Sequence, residues 1–233
     1  MHRGKLRSCL SLTLLGGVMV SGAPSVSPLQ ATVVVCRVES TMSAHSNVDA
    51  SFHGFGFSSS AGAASRRPSV DRQVADEDGT PDLSLTHAEA TMRHRVAADE
   101  VVAVDQAVAW TQTAAQYQDQ YLIAVCDAGT DGDIVLRSDS PFTLDVAVTI
   151  STIDCEGLGL WLNIFGDDGE VFFADHGTTT ERLTLAAGRY TVHWEGWSMC
   201  VGLGWDSWAS QSLDLRLSSP DASFTLPSAM GQP

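Results

Sequence analysis

Tryptophan is the residue type here whose spacing most suggests chemistry. Trp194, Trp197, Trp205 and Trp208 fall within fifteen residues, around Cys200 and among Gly196, Gly202 and Gly204. Indole faces held on a sheet or loop stack on sugar rings, and a neighbouring carboxylate such as Asp206 or Glu195 accepts hydroxyl hydrogen bonds. Trp197, Trp205, Trp208 and Asp206 are therefore the candidate ligand-binding residues, with a glycan as the ligand. Trp161 and Phe165 form a second aromatic candidate, because they project opposite to the Leu158 row. The competing role for any of these rings is packing: tryptophan beside a disulfide is a common core wedge in two-sheet folds.

Hard-cation chemistry is the next candidate. Asp127, Asp131 and Asp133 lie in a glycine-containing stretch read as a loop before Ile134, and carboxylates gathered on turns suit calcium. These three are the candidate metal ligands, although no EF-hand spacing is present and Asp and Gly are also ordinary turn residues. Asp167 and Asp168 at a hairpin tip, and Asp76, Asp78 and Asp82 around Gly79, are weaker versions of the same pattern. No cofactor is required by this reading; calcium is the one cation it allows.

Catalytic patterns are missing. The histidines beyond residue 2 are His45, His53, His87, His94, His176 and His193, and none forms H-x-H or H-E-x-x-H. Gly56-Phe57-Ser58-Ser59-Ser60 lacks the second glycine of a nucleophile elbow. The expectation is a non-enzymatic protein.

Arg3, Lys5 and Arg7 precede an apolar run over residues 9–20 and the small residues Ser21, Gly22 and Ala23, the layout of a secretory leader. Cleavage falls near Gly22 or Ala31, and the run is too short to span a membrane. Beyond the leader, ten arginines and no lysine face 28 acidic residues, a formal charge of about −18. Such a chain repels nucleic acid and anionic membranes, which leaves a glycan or an envelope protein as partner. Codon bias and adaptation to salt both explain the arginine-only, aspartate-rich composition. In an exported chain, Cys36, Cys126, Cys155 and Cys200 predict two disulfides. Pairing Cys36 with Cys126 and Cys155 with Cys200 ties each half of the chain.

The elements that must position these groups follow from hydrophobic period. Phe142, Leu144, Val146, Val148 and Ile150 alternate with polar or small residues, as a strand buried on one face requires. Leu158 to Ile164 repeats the pattern, and Gly166-Asp167-Asp168-Gly169 supplies a hairpin turn. Further strands are expected from Val171, over residues 180–185, from Tyr190 to Trp194, over residues 32–42 and 52–57, and from Leu213 to Leu217. Residues 58–82 read as a flexible acidic loop and residues 220–233 as a disordered tail. Residues 83–117 fit either an alanine-rich helix or two strands. Strands are preferred, because a two-sheet core needs them. The expected fold is mostly β, a two-layer antiparallel sandwich of jelly-roll-like type over residues 32–219.

Phe142-Thr143-Leu144-Asp145-Val146, the run from Gly157 to Gly169, and Leu183-Thr184-Leu185-Ala186-Ala187-Gly188-Arg189-Tyr190-Thr191-Val192 together resemble bacterial pre-peptidase C-terminal domains. The resemblance covers Asp133 to Leu217. It implies an accessory, non-catalytic exported module that adheres to substrate or is stabilised by calcium. The expected role is thus a secreted or cell-surface binding or structural module, with carbohydrate binding or peptidase association as the alternative.

Overall fold

A computed structural model describes residues 30–50, 55–67, 69–80, 84–113, 123–153, 159–203 and 206–227. Among them there are thirteen strands and no helix. The segment expected to be a leader, Trp205 and Cys155 lie outside the described residues.

The first sheet carries β1 (Ala31–Ala50), β2 (Phe55–Ser65), β6 (Ile123–Ser138), β8 (Trp161–Gly166), β9 (Gly169–Ala174), β11 (Gly188–Leu203) and β13 (Ala222–Thr225). Its order is β13-β1-β6-β11-β8-β9, with β2 also on β1. The second sheet carries β3 (Ser69–Thr80), β4 (Ser84–Val96), β5 (Glu100–Thr113), β7 (Phe142–Ile153), β10 (Gly177–Leu185) and β12 (Ser207–Ser218), ordered β10-β7-β12-β5-β4-β3. All pairings are antiparallel except β1 with β13. The two sheets face each other as a β-sandwich and are not closed into a barrel.

The interior divides by side-chain size. At one end Phe142, Leu144, Leu213 and Leu215 of the second sheet share a core with Val33, Leu136, Leu162, Ile164 and Trp194 of the first. At the other the buried residues are mostly Ala88, Ala90, Ala107, Ala109, Ala128 and Ala209, with Met42, Met92, Cys126 and Cys200. Alanine spaces facing backbones much less than leucine does. Accordingly β1 and β4, and β5 and β6, have Cα atoms within 8 Å of each other, closer than the usual ~10 Å between stacked sheets. Ser198 Oγ on β11 donates straight across to the Ala107 carbonyl of β5, at 3.3 Å. Where the large and small halves meet, Trp194 lies over Gly132 of β6. A Cβ at residue 132 would sit 2.0 Å from the indole Cζ2, so only glycine admits this ring.

Residues 83–117 are strands where described, as preferred from sequence, and β5 turns its Val101, Ala103, Asp105, Ala107 and Ala109 face inward. Other expectations change. Residues 58–65 are part of β2 and residues 69–80 form edge strand β3, not a flexible loop. They lack apolar alternation because an edge strand needs only backbone pairing along one side, and acidic side chains there discourage further pairing. Asp127 to Asp133 lies within continuous β6, not in a loop, since its glycines make room for side chains of the neighbouring strand β11. Ala222 to Thr225, placed in a disordered tail by sequence, pairs with β1 and buries Phe224.

Candidate functional site

The inward turn of β5's alanine face leaves Val102, Val104, Val108 and Trp110 on the outer face of the second sheet. In register with Trp110 stand His87 of β4 on one side and Trp208 of β12 on the other. The His87 ring stacks on Trp110, with centroids 5.4 Å apart and planes 21° from parallel. Trp208 is 45 % exposed. Three rings therefore cross three adjacent strands at the ~4.8 Å strand spacing, a row about 10 Å long. Beside it an open groove of about 450 Å³ is lined by Trp110, Thr111, Gln112, Asp206, Ser207 and Trp208. The carboxylate of Glu89, two residues along β4, lies 3.5 Å from His87 Nε2. Indole faces beside a carboxylate, an amide and a hydroxyl can stack on the apolar face of a pyranose and hydrogen-bond its hydroxyls.

Of the residues singled out by sequence, Trp208 and Asp206 come together in this groove. Trp197 does not join them: it projects from β11 of the opposite sheet, 36 % exposed and against Gly129. Trp205 lies outside the described residues. Trp110 and His87 were not among the predicted ligand residues. The signal for Trp110 was its place on the bulky face of β5; what hid its role was that Trp208 becomes its neighbour only through β5–β12 pairing. A second aromatic hollow, about 470 Å³, is lined on the first sheet by Trp161, Asn163, Phe173 and Asp175. Phe165 stands on the same outward face of β8, 38 % exposed.

The three predicted cation ligands do not converge. Asp127 is four residues from Asp131 on an extended strand, about 13 Å away, and faces His45, 3.3 Å distant. Asp133 accepts from His193 Nδ1 at 2.9 Å and from Arg37 at 3.3 Å. Asp131 lies instead with His193 and Glu195, their ligand atoms all within 4.8 Å of one another. Burial pushes the Asp131 carboxyl above its usual range; His193 draws it down, while Glu195 and Asp133 raise it further. One imidazole and two carboxylates suit zinc or manganese better than calcium.

Among the described residues Cys36, Cys126 and Cys200 are thiols, and the Cys36–Cys126 pairing expected from sequence does not fit. Val35 and Arg37, which flank Cys36, pair with Leu136 and Val135, whereas Cys126 faces Ser46 ten residues further along β1. About 33 Å therefore separates the two along the strand, against the ~7 Å limit between bridged Cα atoms. The assignment failed because tying one half of the chain to itself says nothing of strand register.

No family model, curated protein or solved structure matches this chain. The class defined by fold and site is a two-sheet β-sandwich with an aromatic row across one outer face.

Proposed function

We propose that this is a non-enzymatic, secreted or cell-surface β-sandwich module that binds a polysaccharide on the His87–Trp110–Trp208 row. The observation that carries the reading is a 45 % exposed tryptophan in strand register with a second, beside Asp206 in an open groove. Adjacent aromatic rings on one outer face mark an interaction surface in a way that a single exposed ring does not. The flat outer face of a sheet suits an extended sugar chain, and the strongly acidic surface favours a neutral or basic one. Stacking and hydrogen bonding supply the binding, with no cofactor invoked. Export agrees with the leader-like N-terminus. A structural contact with an envelope protein is the second reading, favoured by the further aromatic hollow at Trp161 and Phe173 on the opposite sheet.

Tryptophan fluorescence titrated with a panel of neutral and basic polysaccharides tests the proposal. A saturable shift is expected, weakened about tenfold or more, some 1.4 kcal/mol, by Trp208→Ala or Trp110→Ala. Silence across the panel would remove the glycan reading, and binding of an envelope protein that is lost on Phe173→Ala would establish the second.

A further inference from the structure

Cys126 and Cys200 are direct partners across the β6–β11 ladder. Both are 0 % exposed, in the alanine half of the interior where neighbouring side chains are too small to separate them. Directly opposed residues on antiparallel strands have Cα atoms about 4.5–5.5 Å apart, inside the range of about 4.4–6.8 Å that a disulfide spans. The neighbouring Cys200 thiol foremost, and then burial, push the Cys126 thiol far above the ordinary thiol range. Each also reaches the facing sheet: Cys126 Sγ donates to the Trp110 carbonyl at 3.2 Å and Cys200 Sγ to that of Ala109 at 3.0 Å.

We infer that Cys126 and Cys200 form a cross-strand disulfide that locks the two central strands of the first sheet, directly beneath the Trp110 platform. The bond closes by thiol–disulfide exchange with an oxidised low-molecular-weight disulfide. The first cysteine, as thiolate, attacks one sulfur of the oxidant and releases one thiol, leaving a mixed disulfide. The second cysteine attacks that and releases the second thiol. Two protons and two electrons leave the protein, and the oxidant is reduced to two thiols. Because the thiolate is the attacking species and both sulfurs are sealed from solvent once the sandwich forms, closure belongs to the folding chain. The native dithiol resists oxidation. This inference does not depend on what the aromatic row binds.

Refolding the full chain in a buffer of oxidised and reduced glutathione, blocking thiols after unfolding and mapping peptides without reductant tests it. The expected product is one peptide pair joined through Cys126 and Cys200, two hydrogens lighter than the sum of its parts. Reductant should then lower the thermal midpoint by roughly 5–15 °C, as for a bridge closing a long loop in a chain of this size. A Cys126→Ala/Cys200→Ala variant, conservative in this alanine-lined interior, should show no reductant dependence from this bond. Recovery of both residues as blocked thiols, or of either joined to Cys36 or Cys155, would overturn the inference, and an unchanged midpoint on reduction would overturn the locking role.

Discussion

Asp105 is the residue on which the two sheets are polar-bonded to each other at the centre of the core. It is 1 % exposed, and its two oxygens lie 2.7 Å from His94 Nε2 of β4 and 2.7 Å from Trp194 Nε1 of β11. His94 in turn meets the Trp194 ring edge-on, at 5.3 Å. Replacing Asp105 by Ala strands an indole N–H and an imidazole nitrogen away from water, so a loss of about 3–5 kcal/mol is expected. Urea unfolding should show it as a lower midpoint at unchanged slope. A loss below about 1 kcal/mol would mean that these groups find other partners. Neither His94 nor Asp105 looked distinctive in the sequence; each sits on a small-residue face, and only the meeting of β4, β5 and β11 makes them a network.

Among the elements, β13 and β3 separate what alternation reveals from what it hides. β13 is four residues long, too short for a periodic signal, yet Phe224 is 2 % exposed within the large-residue core. Phe224→Ala should cost about 3–5 kcal/mol; an unaltered unfolding midpoint would restore the tail expected from sequence. The turn into β13 is fastened by Asp221, which accepts from the Thr143 N–H, from Thr143 Oγ1 and from Ser219 Oγ. The Thr143 N–H foremost, opposed next by burial and aided by the two hydroxyls, holds the Asp221 carboxyl below the usual 3.8. A depressed carboxylate contributes stability that is complete above the unfolded-state value and fades as pH falls through the folded one. Asp221→Asn should therefore narrow its stability deficit as pH drops below 3.8. A deficit constant with pH would assign the effect to packing.

For the whole molecule the dominant facts are charge and an interior of two thicknesses. Residues 32–233 carry a formal charge of about −18, and surface ion pairs such as Arg182 with Asp145 offset only part of it. Self-repulsion of this size opposes compaction and is screened by salt over a Debye length of about 10 Å at 0.1 M and 3 Å at 1 M. The thermal midpoint is expected to climb by several degrees between about 0.05 and 1 M sodium chloride. A flat or falling profile would show that local ion pairs, not net repulsion, dominate the surface. The thin alanine half brings hydroxyl and thiol groups of one sheet onto carbonyls of the other, which fixes how the sheets align there more strictly than interchangeable apolar contacts would.

Every-other-residue burial was readable directly: Phe142 to Ile150, Leu160 to Ile164 and Leu213 to Leu217 point inward as their pattern required, because side chains on an extended backbone alternate faces whatever the strand's neighbours are. The hairpin at Gly166 to Gly169 was equally local, and Gly169 takes the positive φ of +119° that its position called for. Neighbours were not readable. Trp110 with Trp208, Cys126 with Cys200, and Asp131 with His193 and Glu195 are each brought together from about 60 to 100 residues apart in the chain. Strand order and register are set by how complementary faces fill the space between two sheets, a property of all the strands at once, and no single segment's sequence contains it.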